Sequence, residues 1–256
     1  MKRTSGISAN SRRVVLCAVV ILAVTSASVA AADEAAGPFG VTAVVGATAE
    51  SARVGALFGA DKAGSLSGNH FCTASVVHSP QRDLIVTAAH CIDSGGDAGL
   101  VFVPGYRDGQ APYGVWKIGK RYLPDGWAHG QDEDSDVAFA VVDELGGKRV
   151  EDVTGSNRFA AGVATGATAV TVTGYPDSRE VPVSCTNRPV PHSATQQRID
   201  CPELTGGTSG SPWVNGDHEL VGVLGGHEQG GSTPDVSYSV VLGREAAELY
   251  KDATGG

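Results

Sequence analysis

Apolar positions along the chain fall in short runs broken by glycine, proline and aspartate, and helical periodicity is almost absent. One set of runs precedes a polar stretch at 143–157: Val54–Phe58, Phe71–Val77, Asp83–Ala88, Leu100–Val103, Val115–Leu123 and Val137–Val142. A second set follows it: Ala169–Gly174, Val181–Cys185, Gln196–Asp200, Ser211–Val214, Leu220–Leu224 and Tyr238–Leu242. Many short β-rich segments with regular turn signals predict an all-β barrel or sandwich. The tail from Arg244 to Lys251 differs, because Ala246, Ala247, Leu249 and Tyr250 lie among charges at helical spacing. That spacing predicts one closing helix. No internal repeat is visible.

The first residues stand apart from this pattern. Lys2, Arg3, Arg12 and Arg13 precede an apolar run from Val14 to Val24, small residues lead to Ala30-Ala31-Ala32, and the first acidic residue is Asp33. A charged head, an apolar middle and a small-residue cleavage site predict a secretory signal peptide over 1–32. The apolar run is shorter than the ~20 residues needed to cross a bilayer, so no stable membrane anchor is expected. The remaining residues, 33–256, are enough for one large domain or two small ones.

Charge and cysteines sharpen the class. The whole chain carries a formal net charge of −9, and loss of the four basic residues of the head takes the mature chain to −13. So acidic a surface disfavours nucleic acid and anionic membranes as partners. Cys17 leaves with the head, while Cys72, Cys91, Cys185 and Cys201 stay. Four cysteines in an exported chain predict two disulfides, for which three pairings exist. The local choice, Cys72–Cys91 with Cys185–Cys201, closes two short loops, each stabilising by roughly 3 kcal/mol in the chain-entropy model. Their spacings do not follow the CxxC patterns of metal sites.

Three short strings carry chemistry. Thr87-Ala88-Ala89-His90-Cys91 sets a histidine at the end of an apolar run, Ser135-Asp136-Val137-Ala138 sets an aspartate at the start of another, and Gly206-Gly207-Thr208-Ser209-Gly210 sets a serine inside a glycine turn. A serine hydroxyl is a weak nucleophile unless a neighbouring base takes its proton, and a carboxylate that fixes the base's tautomer improves it. The glycine turn leaves little bulk around Ser209 and lets the amides of Gly207 and Ser209 converge on one point. Two donors so aimed stabilise a tetrahedral oxyanion, each contributing roughly 10²–10³ in rate. Asp132, Glu133 and Asp134 crowd Asp136, but only Asp136 leads directly into an apolar run, and Asp134 is its one rival.

The order His, Asp, Ser and the strings around each resemble the trypsin/chymotrypsin-like serine peptidases. Thr171-Val172-Thr173-Gly174-Tyr175-Pro176 and Thr205-Gly206-Gly207-Thr208-Ser209-Gly210-Ser211-Pro212 are most similar to the glutamyl endopeptidase branch and its bacterial secreted relatives. The resemblance implies two six-stranded antiparallel β-barrels, about 41–147 and 148–243, with a closing helix at 244–251 and the active site in the cleft between barrels. It implies His90, Asp136 and Ser209 as the catalytic set, Gly207 and Ser209 as the oxyanion hole, and a Cys72–Cys91 bridge tying the histidine loop to the preceding strand. It also implies that no metal or organic cofactor is needed.

Two departures from the family bear on control and specificity. Thr208 stands where trypsin has an aspartate that pairs with a freed N-terminal amine, so an amine released near Val44-Val45-Gly46 has no such partner. Leu224 stands where glutamyl endopeptidases have a pocket histidine. By the offset that trypsin uses, Glu203 falls at the pocket floor and Gly225 and Gly226 fall in the opposite wall, implying a preference for lysine or arginine. The expected protein is a secreted, monomeric serine endopeptidase with protein or peptide substrates and a proteinaceous inhibitor as a further partner. The alternatives are a non-catalytic binding protein on the same fold, although no member of the set is missing, and a secreted esterase, whose Gly-x-Ser-x-Gly elbow is absent.

Overall fold

The computed structural model describes Met1 and residues 38–93 and 99–255; the expected signal peptide lies outside them. After a short strand β1 (Thr42–Val44), the first half forms β2 (Val54–Gly59), β3 (His70–Val76), β4 (Leu84–Thr87), β5 (Leu100–Pro104), β6 (Trp116–Tyr122) and β7 (Ala138–Val142). The six strands β2 to β7 close into a barrel in the order β2-β3-β4-β7-β6-β5, all neighbours antiparallel. Every residue of β4 is buried, and so is most of β7. Their sequences are continuous apolar runs because the barrel interior fills one face and the rest of the molecule covers the other.

The second half contains β8 (Arg158–Phe159), β9 (Val170–Gly174), β10 (Val183–Asn187), β11 (Val190–Pro191), β12 (Gln196–Asp200), β13 (Pro212–Asn215), β14 (Glu219–Val223) and β15 (Val236–Val240). They form a six-stranded sheet, β1-β10-β9-β13-β14-β8, and a three-stranded sheet, β11-β12-β15, joined by a bridge between Leu224 and Ser239. The second barrel is therefore two sheets, and one of its pairs, β8 with β14, is parallel. β9 shows the alternation of a half-buried strand, with Val170, Val172 and Gly174 inward and the threonines outward.

The expected first barrel, beginning near residue 41, starts instead at Val54. β1 pairs with β10, Thr42 opposite Cys185, and thereby covers an edge that would otherwise present unpaired amides.

Helices are few among the described residues: α1 (Ala49–Ala52), α2 (Ala89–Ile92), α3 (Asp125–Gly130), α4 (Val150–Thr154) and α5 (Arg244–Thr254). None is long and apolar enough to cross a membrane. The closing helix α5 runs three residues beyond its expected end, because Ala253 continues the stripe of Ala246 and Leu249, and Gly255 in the left-handed region then stops it. The stripe packs chiefly on the first barrel: Ala246, Leu249 and Ala253 join the core that contains β3, β4 and β7, while Tyr250 meets Phe139 of β7 and stacks on Phe159 of β8.

Candidate active site

His90 sits in α2, a single turn entered directly from β4. Two devices hold that turn. Cys91 bonds Cys72 on β3, with Cα atoms 6.1 Å apart, and the His90 amide donates to Asp136 Oδ1 at 3.0 Å. The imidazole is 14% exposed, and its Nδ1 lies 2.7 Å from Asp136 Oδ2. An ionised carboxylate only accepts, so Nδ1 carries the proton and Nε2 keeps its lone pair for another partner. Trp127 walls the imidazole at a ring separation of 6.3 Å and is itself fixed by its indole N–H to Asp93 Oδ2 at 2.8 Å.

Asp136 is fully buried, so its charge must be met by donors. Besides the two from His90, the amide of Gly226 donates to Oδ2 at 2.8 Å. Gly225 lies flat against the same carboxylate: a β-carbon there would fall 2.7 Å from Oδ2 and 3.1 Å from Ala88 Cβ. The two glycines expected in a pocket wall are thus placed against Asp136. The rival Asp134 is exposed and is bonded by Gln196 Nε2 at 2.9 Å, away from the imidazole. Of this acidic run, Asp136 alone turns inward.

The Ser209 turn docks on the first barrel through β3. Thr73 N–H donates to Ser209 O at 2.7 Å, and Thr73 Oγ1 donates to Gly207 O at 3.0 Å. Gly210, at φ +85°, approaches so closely that a β-carbon would lie 2.0 Å from Thr73 O and 3.2 Å from Ala88 N. Since Thr73 follows Cys72, and Cys72 is bonded to Cys91, this docking puts Ser209 beside the histidine turn. The Ser209 hydroxyl itself donates weakly to Gln229 O at 3.5 Å and makes no hydrogen bond to His90 among the described residues.

The amides of Gly207 and Ser209 have no acceptor among the described residues. Their directions are set by the carbonyls across each planar peptide, which point the opposite way. Gly206 O is held by the Asp177 amide at 2.7 Å, and Thr208 O by both the amide and the hydroxyl of Ser211, at 3.0 and 2.6 Å. Two fixed, unsatisfied donors flank the hydroxyl of Ser209, which is the equipment needed to receive an oxyanion.

Glu203 is a correction. It occupies an exposed turn at φ +64° and pairs with Arg179 at 2.7 Å, both side chains largely solvated. It follows Cys201, held to Cys185 with Cα atoms 5.9 Å apart, and a solvated, ion-paired carboxylate is not the buried, unpartnered charge expected at a pocket floor. Cys72, His90 and Cys91 lie close enough together to suggest metal ligands, but both sulfurs are spent on each other. That cluster offers a metal only one ligand.

Thr73 and Gln196 went unnoticed in the sequence. Thr73 Oγ1 also accepts the Tyr175 amide at 3.0 Å, so one hydroxyl links β3, β9 and the Ser209 turn. Gln196 Nε2 donates to Glu133 O at 2.8 Å while its Oε1 accepts the His227 amide at 3.4 Å, tying the acidic run to the loop that follows Gly226. Neither residue lies in a recognisable string.

Comparison with known proteins is consistent with this geometry. Curated protein sequences return no match. Among solved structures the chain is similar to a protease, Anisep, from Arthrobacter nicotinovorans, with 28% identity and a TM-score of 0.69 over 80% of this chain and 96% of that one. It is similar to a thermostable serine protease, AL20, from an extremophilic microorganism, with 29% identity and a TM-score of 0.69 over 81% and 99%. A Glu endopeptidase, 19% identical with a TM-score of 0.66 over 86% and 99%, shares the fold. Residues 72–223 match the trypsin-like peptidase domain, a span that contains His90, Asp136 and Ser209. The chain belongs to the trypsin-like peptidase family and is a serine-type peptidase with a chymotrypsin-like fold.

Proposed function

We propose that the protein is a secreted endopeptidase in which Ser209, His90 and Asp136 form the catalytic triad and the Gly207 and Ser209 amides form the oxyanion hole. Residues 1–32 are the signal peptide, and 33–256 contain the peptidase domain. The observation that carries this reading is the 2.7 Å contact between His90 Nδ1 and the buried Asp136, which leaves Nε2 as the basic nitrogen. The Ser209 hydroxyl, weakly held by Gln229 O, is free to rotate toward that nitrogen when a peptide enters.

In the reaction Ser209 Oγ attacks the scissile carbonyl as its proton passes to His90 Nε2. Asp136 stabilises the resulting imidazolium, and the two amides bind the oxyanion. Collapse of the tetrahedral intermediate passes the proton from His90 to the leaving amine and leaves an acyl-enzyme on Ser209. Water, deprotonated by His90, then attacks the ester and regenerates the serine. Protein and peptide chains are the substrates; the exposed Arg179–Glu203 pair gives no ground for a basic preference.

The test uses Ser209→Ala, with a serine-directed fluorophosphonate as a second readout. The variant is expected to fold, to lose about 10⁶-fold in turnover and to escape labelling. Equal turnover by the variant and the wild type would overturn the assignment.

A further inference from the structure

A pocket of about 270 Å³, lined by none of His90, Asp136 and Ser209, is walled by Ala47, Pro112, Tyr113, Tyr175 and Pro182, with Arg107 among its polar residues. Its walls are flat and apolar, which suits a ring. Its volume is just below the ~300–1,000 Å³ of drug-sized sites, so a single ring system with a short chain fits. Arg107 supplies the charge. One of its terminal nitrogens donates to Val45 O at 2.6 Å, and among the described residues it forms no ion pair, although Asp108 also lines the pocket. A guanidinium with donors to spare beside apolar walls selects a carboxylate.

Tyr175 joins this pocket to the Ser209 turn. The residue is fully buried, with Tyr106 at a ring separation of 5.9 Å and His70 at 6.2 Å. Its amide donates to Thr73 Oγ1, and that hydroxyl donates to Gly207 O. Its own carbonyl presses on Gly207, where a β-carbon would fall 2.5 Å away. A displacement of Tyr175 is therefore transmitted to Gly207 through two hydrogen bonds and one direct contact.

We propose that this pocket is an effector site for a small carboxylic acid with an apolar ring, and that its occupancy alters turnover through Tyr175 and the Gly207 turn. The effect on turnover rests on the role assigned to Gly207 above; binding does not.

The probe is indole-3-acetate, titrated calorimetrically into the purified enzyme, with 3-methylindole as the uncharged comparison. Saturable binding to the wild type is expected, weakened about tenfold or more in Arg107→Met and for 3-methylindole, since a charge-assisted contact is lost. Ala47→Trp, a change at an exposed position, fills the pocket and abolishes binding while leaving basal turnover intact. Binding must survive phosphonylation of Ser209, because loss there would place the ligand in the substrate cleft. In the wild type the ligand is expected to change kcat/KM by about fivefold or more, the scale of a typical allosteric coupling, and in Ala47→Trp to leave it unchanged. Absence of saturable binding, or binding undiminished in both variants, overturns the site. Binding without any change in kcat/KM overturns the coupling. Retained activity in Ser209→Ala would undo the reading of Gly207 and leave the calorimetric result standing.

Discussion

The backbone of Gly225 lies against the carboxylate of Asp136, and a β-carbon on Gly225 would stand 2.7 Å from Oδ2. No side chain at 225 fits while the carboxylate stays bonded to His90. Gly225→Ala is expected to keep the fold and lose about 10²-fold in kcat/KM, the scale of a displacement near 1 Å in a catalytic group. Peptide hydrolysis with circular dichroism as the folding check measures this; full activity would show that the carboxylate has room to move.

Asp136→Asn tests the tautomer. Both carboxylate oxygens accept backbone amides, Oδ1 from His90 and Oδ2 from Gly226, so either orientation of an asparagine sets its NH₂ against a donor. The imidazole also loses the acceptor that keeps the proton on Nδ1. Turnover at neutral pH is expected to fall about 10⁴-fold with little change in KM. A loss below tenfold would remove Asp136 from the triad.

Thr73→Val removes one hydroxyl and leaves two backbone groups, Gly207 O and Tyr175 N–H, without their partner. Each buried group so orphaned costs about 1–3 kcal/mol. The variant should melt earlier and lose kcat more than KM, because the turn that carries Ser209 then loses one of its two bonds to β3. Unchanged kcat alongside reduced stability would confine Thr73 to a structural role.

Asp83 provides a pH dependence. Burial pushes its carboxyl above the usual range, with Arg149 at 3.4 Å only partly offsetting this. Between the ordinary value and the raised one the folded state binds more protons than the unfolded chain, so this group's contribution to stability falls as pH rises through that window. Asp83→Asn is expected to melt higher than the wild type at pH 7, with the gap narrowing on acidification below the window. Urea denaturation at several pH values measures it; a constant difference across the range would contradict it.

What the sequence revealed and what it hid divide along one line. His90 and Ser209 lie in short strings whose local backbone makes the site, and the all-β pattern and closing helix follow from local periodicity. The Asp136 choice also rested on its immediate neighbours. Counting back from Ser209 assumes a loop path, whereas Glu203 stands exposed in a left-handed turn and pairs with Arg179. Thr73 was invisible because its partners lie 134 and 102 residues away in the chain. The strands β1, β8 and β11 are too short to carry a period and exist through their pairing alone.

The placement of α5 has a consequence for the order in which the molecule can be finished. The helix is synthesised after every strand of the first barrel, yet it packs on that barrel, and its Glu245 receives the Ser135 hydroxyl at 2.9 Å, one residue before Asp136. Tyr250 similarly donates to His78 O at 2.7 Å. Domains that fold during synthesis begin from the N-terminal side, but here the lining of β7 stays uncovered until α5 has followed it. A growing chain therefore cannot complete the surroundings of Asp136 until α5 has been made, some hundred residues after the aspartate itself.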